Sequence, residues 1–334
     1  MTPTVVFDTY WRFASERLAM FYRRYSEPVG PWTSDPILRS YRFTNVFRAA
    51  DRVSQYLIAE VQAREDRLQT PDELFFRTML FKIFNRIDTW ESLEDRFGPL
   101  EWRRLDLVKI DQALEELRLR GRKIYSAAYI MPSPALGHAR KHSNHLALLK
   151  HMMEDRIPER VRQAPSLRSV YELILRYPGL GPFLGFQYAI DLNYSVILDF
   201  EESEFAIAGP GALDGISKCF TDTKGLTAEE VIYWVTDQQD TEFKRLGLEF
   251  PGLFGRKLQP IDCQNLSCEI SKYARVAHPD IRGIANRTRI KQCYRRNARP
   301  IPKPTFPERW GIHADEGIAV GTTQQVEALE PSLF

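Results

Sequence analysis

Arg176-Tyr-Pro-Gly-Leu-Gly-Pro-Phe-Leu-Gly-Phe-Gln-Tyr-Ala-Ile-Asp191-Leu-Asn-Tyr194 is the stretch on which the fold turns. Ahead of it, Leu167, Val170, Tyr171, Ile174 and Leu175 recur at helical spacing, which predicts a helix arriving at Tyr177. Pro178 ends that helix, since it lacks an N–H and clashes with the preceding turn. Gly179 and Gly181 permit backbone angles that other residues resist, and Pro182 presets the first turn of a new helix. That second helix carries Phe183, Leu184, Phe186, Gln187, Ile190 and Asp191. The prediction is helix, tight Gly-Leu-Gly hairpin, helix, with free N–H groups at the bend that favour an anion such as DNA phosphate. The competing reading is an ordinary turn between two packed helices. Asp191 weighs toward function: a carboxylate near DNA repels phosphate and helps a binding module little, but serves an enzyme that stabilises charge or activates water.

Outward from the hairpin the pattern is helical almost everywhere. Helices are expected over residues 8–25, 71–87, 111–119, 142–153, 228–246 and 262–276. Thr70, Pro71 and Glu73 start the second of these, and Thr227 with Glu230 forms a capping box for the fifth. Phe43, Val46, Phe47, Ala50 and Val53 read as the buried stripe of another helix, with Asn45, Arg48 and Arg52 on one polar face. Residues 196–200 and 205–208 read as short extended pieces, and 209–215 as a glycine-rich loop feeding a helix. The fold class is mainly α with few short strands. The expected organisation is one large helical domain over 1–276, either undivided or as two lobes with a cleft. A basic extension over 277–310 and a flexible tail over 311–334 follow.

Composition narrows the function classes. The formal net charge of the 334 residues is only +2, so distribution matters more than total. No acid occurs between Asp280 and Glu308, whereas Arg282, Arg287, Arg289, Lys291, Arg295, Arg296, Arg299 and Lys303 do. Arg289, Lys291, Arg295 and Arg296 are therefore candidate DNA-backbone contacts, the alternative being a solvated arm. Cys219, Cys263, Cys268 and Cys293 lack zinc spacing and read as reduced thiols. The spacing of His138, His142, His145 and His151 invites a metal, but Arg140, Lys141 and Lys150 oppose one, so a solvated or DNA-facing helix is expected and no metal or cofactor. The sequence has neither a signal-peptide pattern nor an apolar run able to span a bilayer; a cytoplasmic protein without a membrane partner is expected.

The second constellation lies in residues 258–275. On a helix, Asp262, Asn265, Glu269 and Lys272 fall at steps of three, four and three, on one stripe, beside Leu266, Ile270 and Tyr273. A solvated face with an ion pair is the plain reading, but the mix of amide, carboxylate and amine suits a site. Gly209 and Gly211 lack the Lys-Ser/Thr ending of a Walker loop and offer at most a close approach to phosphate.

Together the stretches 41–52, 178–187 with Asp191, 209–215 and 262–273 resemble the alpha-glutamyl/putrescinyl thymine pyrophosphorylase family, related in fold to helix-hairpin-helix DNA glycosylases. The resemblance spans roughly residues 30 to 275 and implies enzymes acting on modified pyrimidines in DNA, often in bacteriophage biology. It marks Asp191, Asp262, Glu269, Lys272, Asn45 and Arg48 as matching polar positions. Phe183 stands where Schiff-base glycosylases carry a lysine, which implies a monofunctional enzyme. Asp199 and Glu202 are rivals to Asp191 for the catalytic carboxylate.

The leading expectation is a DNA N-glycosylase that removes a bulky modified pyrimidine from double-stranded DNA, leaving an abasic site. Asp191, Asp262, Glu269 and Lys272 would form the catalytic group around a flipped base. Asn45, Arg48, Phe43, Gln187, Asn265 and Tyr273 would bind base or substituent, and Gly179, Gly181, Phe183, Gly209 and Gly211 would meet DNA. The alternatives are an enzyme displacing pyrophosphate from a hydroxymethyl pyrimidine in DNA, and a non-catalytic DNA-binding module.

Overall fold

The computed structural model describes residues 1–27, 29–296, 302–312 and 314. The helices are α1 (Val5–Ser26), α2 (Pro36–Ser40), α3 (Arg52–Tyr56), α4 (Pro71–Phe84), α5 (Ile87–Phe97), α6 (Leu107–Leu119) and α7 (Lys141–Glu154). They continue as α8 (Ile157–Arg162), α9 (Leu167–Ile174), α10 (Pro182–Asn193), α11 (Pro210–Cys219), α12 (Ala228–Arg245) and α13 (Pro260–Ala277). Among the described residues the strands β1 (Thr2–Pro3) and β2 (Phe220–Asp222) form one antiparallel pair. The fold is mainly α, as its periodicity predicts. No helix among the described residues is long and apolar enough to cross a membrane.

Two compact units divide the chain. The first comprises Met1–Arg48, Ala208–Pro304 and the described part of Ile312–Phe334; the second comprises Ala49–Ile207 and Thr305–Gly311. Of the basic stretch 277–310, the described residues up to Pro304 fall in the first unit and those from Thr305 in the second. Arg299 and nearly all of the expected flexible tail lie outside the described residues.

In the second unit α4 is buried around most of its circumference: Leu74, Phe75, Phe76, Met79, Leu80, Phe81, Ile83 and Phe84 are all at most 3% exposed. Each such side chain contributes roughly 1.5–3 kcal/mol by leaving water. Thr70 accepts from Glu73 N at the start of α4, and Asn85 ends it in the left-handed conformation (φ 49°). Helix α10 is similarly enclosed, Leu184 to Asn193 being buried throughout. Between α3 and α4, Leu57–Gln62 forms a π-helical segment.

In the first unit α11 lies directly on α13. A Cβ on Gly211 would fall 2.2 Å from Cys268 Sγ, and one on Gly215 would fall 1.8 Å from the Ser267 carbonyl oxygen. The expected glycine-rich loop is therefore a helix whose glycines permit close packing. Only Gly209 stays outside, as the residue preceding its first turn. The capping box of α12 has both of its bonds, Thr227 with Glu230.

Two local expectations give way to tertiary partners. The helix expected through 43–53 is replaced by an irregular segment, a single 3-10 turn (Arg48–Ala50) and α3. Thr44 N and Arg48 N donate to the carboxylates of Glu269 and Asp262, so they are lost to a helical ladder. The extended pieces expected at 196–200 and 205–208 are loops. Asn193 folds the first back by bonding both Phe200 O (2.8 Å) and Phe200 N (3.1 Å).

Candidate functional site

The hairpin of the second unit forms largely as its sequence dictates. Helix α9 ends at Ile174, and two turn bonds, Tyr177 N to Ile174 O and Leu180 N to Tyr177 O, carry the chain to the bend. Gly179 has φ +85°, and a Cβ there would also lie 3.3 Å from Pro132 O. Gly181 precedes α10, Pro182 takes its first position, and both are exposed. Phe183 stacks on Tyr129 with ring centroids 6.0 Å apart, and Tyr129 itself covers Lys82 Nζ at 5.0 Å. The bend faces solvent with an aromatic pair at its side.

Asp191, in contrast, lies in the interior. Its carboxylate has 0% exposure and pairs through Oδ2 with Lys82 Nζ at 3.0 Å. Lys82 also donates to Asn85 Oδ1 (2.9 Å), and Tyr188 OH donates to Lys82 O (3.2 Å). Burial first, then the nearby Asp191 charge, pushes the Tyr188 phenol far above its ordinary range. Gln62, at the end of the π-helical segment, donates to Asp191 O (2.8 Å) and Thr78 Oγ1 (3.0 Å). The expectation that Asp191 and Gln187 line an open base pocket is corrected. Both are sealed, at 0% and 1% exposure, and Lys82 offsets the Asp191 charge, which would be costly to bury alone. Of the rivals, Glu202 is buried, whereas the Asp199 side chain is 83% exposed with Arg309 Nε at 3.3 Å.

The second constellation is assembled in the first unit. Asp262 accepts from Arg48 N (2.9 Å) and, as the third residue of α13, from Gln259 N (3.0 Å). Two turns on, Glu269 Oε2 accepts from Thr44 N (3.0 Å) and pairs with Lys272 Nζ at 2.6 Å. The α13 stripe is no solvated face: Asp262, Asn265 and Glu269 are at most 7% exposed, as are Asn45 and Arg48 from the segment they clamp. Lys272 is the member that reaches solvent, with 17% of its side chain exposed, and its ammonium lies 5.2 Å from the Phe43 ring centre. Phe43 packs on Phe13 and Tyr273, and Tyr273 OH donates to Asp35 Oδ2 (2.6 Å). Both Glu269 contacts fall on Oε2. Oε1 takes no hydrogen bond among the described residues, which leaves an acceptor beside an ammonium and a phenyl face.

A third charged cluster was not read from the sequence. Asp214 of α11 accepts from Ser271 Oγ (2.5 Å) and Ala285 N (2.7 Å) and pairs with Lys218 Nζ (3.2 Å). Burial would raise its carboxyl, but these hydrogen bonds and the ammonium outweigh it and hold the carboxyl below its usual value. Gly283 fits because a Cβ there would fall 2.3 Å from Asp214 Oδ1. Lys82 did carry a signal, a charge among the apolar residues of α4 with its partner Asp191 remote in sequence, and Asp214 and Lys218 stand at i,i+4 spacing on α11.

Among the histidines, His142 and His145 are buried, so that face of α7 is not the solvated or DNA-facing one expected. His145 is held between Tyr125 OH (2.8 Å) and Pro132 O (2.9 Å), and burial pushes its pKa down to about 4. Arg289, Lys291, Arg295 and Arg296 are exposed. They belong to a segment docked on the first unit: Arg42 N bonds Gln292 O, Tyr294 N bonds Ser40 O, and Tyr41 bridges Cys293 antiparallel.

Fold and site together define a helical protein with a surface helix–hairpin–helix and a half-open lysine–carboxylate pair. The family model described as "5-hmdU DNA kinase, helical domain" matches residues 4–283, and the chain belongs to that family. A 5-hmdU DNA kinase of Bacillus phage SP10 is 27% identical over 291 residues, covering 81% of this chain and 45% of that protein. The chain therefore spans less than half the length of this curated relative. No solved structure matches. These findings support the coarser part of the resemblance, a family named for activity on a modified thymine in DNA. They overturn the expected N-glycosylase, a hydrolase leaving abasic sites, because a kinase transfers a phosphoryl group. The hairpin and its carboxylate misled because gripping a DNA strand is common to both chemistries, and a fold does not say which bond is broken.

Proposed function

We propose that this chain recognises DNA bearing a hydroxymethyl pyrimidine and serves phosphoryl transfer at that substituent, with the base left on its sugar. Membership of the kinase family over residues 4–283 is the observation that carries the reading. The Lys272–Glu269 pair suits the chemistry. Glu269 Oε1 would accept the hydroxymethyl proton as the hydroxymethyl oxygen bonds the phosphorus. The bond from phosphorus to the phosphate donor's leaving oxygen breaks with its electron pair going to the donor, and the Lys272 ammonium would offset charge on the transferred phosphoryl group. The Phe43 face offers a stacking surface to the pyrimidine. Asp262 acts as a positioning residue, fixing the 44–48 segment through Arg48 N. Gly179, Gly181 and Phe183 present the exposed bend, whose uncapped N–H groups suit a DNA phosphate. Asp191 and Lys82 tie α10, the helix that follows the bend, to α4. The pyrophosphorylase resemblance points to the same substituent, since a pyrophosphorylated hydroxymethyl group also reacts there.

The test compares duplexes carrying 5-hydroxymethyluracil or thymine at one position, read by fluorescence anisotropy with the full chain. A site built to bond a hydroxyl should favour the hydroxymethyl duplex by roughly tenfold or more. Glu269→Gln and Lys272→Met should bring the ratio toward one, and nucleoside analysis should recover every base attached. Equal affinity for the two duplexes, or free base in solution, would overturn the reading.

A further inference from the structure

The basic segment after α13 is not a loose arm. Ile284 N bonds Ser217 Oγ (3.2 Å), Ala285 N bonds Asp214 Oδ1 (2.7 Å), and Arg275 Nη1 bonds Arg289 O (3.1 Å). Ile290 is buried between exposed Arg289 and Lys291. Beyond it the chain pairs with residues 40–42 through Arg42 N to Gln292 O and Tyr294 N to Ser40 O, both 2.9 Å. That pairing brings exposed Arg39 and Arg42 beside exposed Lys291 and Arg295, though some 250 residues of sequence separate the two stretches. At the end of this ribbon, Trp32 has the guanidinium of Arg24 at 5.3 Å from its ring centre and that of Arg296 at 5.8 Å.

Two acids nearby are spent on local bonds. Asp35 uses Oδ1 to cap α2 and Oδ2 to accept Tyr273 OH, and Glu16 pairs with Arg23. Arg39, Arg42, Arg289, Lys291 and Arg295 have no ion-pair partner among the described residues. So many unpaired cations held on a fixed backbone repel one another, and a protein gains from that arrangement when a polyanion neutralises it.

We infer that residues 39–42 and 289–296 together form a track for the DNA phosphate backbone, flanked by Trp32, and separate from the group that reads the base. The inference rests on the DNA reading above but differs from it in what it controls. Phosphate contacts raise affinity for every sequence alike and steepen its salt dependence, whereas the Glu269–Lys272 group controls the preference for one substituent.

The experiment measures the affinity of the full chain for the hydroxymethyl and thymine duplexes between 50 and 200 mM NaCl. The variant is R39Q/R42Q/K291Q/R295Q, all exposed positions. The log–log salt slope should shrink by about three to four units, at about 0.9 per lost phosphate contact, with both duplexes weakened by the same factor. Lys291→Gln alone should remove about one unit. An unchanged slope in a folded quadruple variant, or weakening confined to the hydroxymethyl duplex, would overturn the track. A wild-type protein that ignores the hydroxymethyl group yet keeps its steep slope would instead overturn the base reading and leave the track standing.

Discussion

Two of the lysine–carboxylate pairs on helices, one from each unit, differ in nearly everything but chemistry. Lys82 and Asp191 meet at 3.0 Å with 3% and 0% of their side chains exposed. Lys272 and Glu269 meet at 2.6 Å with 17% and 6% exposed, beside a phenyl ring, and with Oε1 left over. The first joins helices α4 and α10 across more than a hundred residues; the second spans one turn of α13. A sealed pair can act only on the structure around it, because substrate cannot reach it without breaking the interior. The half-open pair, whose Oε1 takes no hydrogen bond among the described residues, is the one the proposed reading assigns to a ligand. Chemical type therefore does not tell the two carboxylates apart. Burial does.

The largest effect should come from breaking the sealed pair. Asp191→Asn or Lys82→Met leaves one buried charge uncompensated, and each should cost about 3–5 kcal/mol in urea denaturation. The double variant K82M/D191L should recover much of that loss; equal instability of the double and single variants would show that this pair is not the source. Gly215→Ala tests the support beneath the half-open pair. With a backbone oxygen 1.8 Å from the new Cβ, α11 must move off α13, at roughly 2–3 kcal/mol and with weakened base discrimination.

Acid should weaken the second unit next. His145 braces Pro132, whose oxygen meets Gly179 of the hairpin. Its unfolded form takes up a proton below about 6.5, but the folded form only near 4. The folded chain thus binds fewer protons across that interval, and stability falls as pH drops through it, by on the order of 2 kcal/mol between pH 7 and pH 5. Urea midpoints at pH 7 and pH 5 measure this, and His145→Gln should be less stable at pH 7 but flatter between the two. The smallest stability change belongs to the half-open pair. Glu269→Gln should shift stability by about 1 kcal/mol or less while reducing hydroxymethyl preference roughly tenfold, a difference of about 1.4 kcal/mol in binding. A large stability loss there would erase the contrast between the pairs.

Much of the helical plan was legible because local chemistry writes it. Thr70-Pro71, Thr227 with Glu230, and Pro182 after Gly181 announce helix starts, and each start stands where its residues put it. The α13 stripe was legible too, since spacing alone places Asp262, Asn265, Glu269 and Lys272 on one face. The segment 43–48 was not, because its helical pattern yields to two carboxylates more than two hundred residues away. The glycines of α11 read as a loop because their reason, the nearness of Cys268 and Ser267, is invisible along the chain.

By itself the sequence determined the mainly helical class, the hairpin at Gly179 and Gly181, and the acid-free basic run after Asp280, all properties of neighbouring residues. Only the tertiary structure decided that Asp191 is closed off with Lys82, that both Glu269 contacts among the described residues fall on one oxygen, and that the basic run lies against residues 40–42. The physical reason is that exposure and charge pairing depend on partners brought together by packing, and a chain read in order shows the charges without their distances.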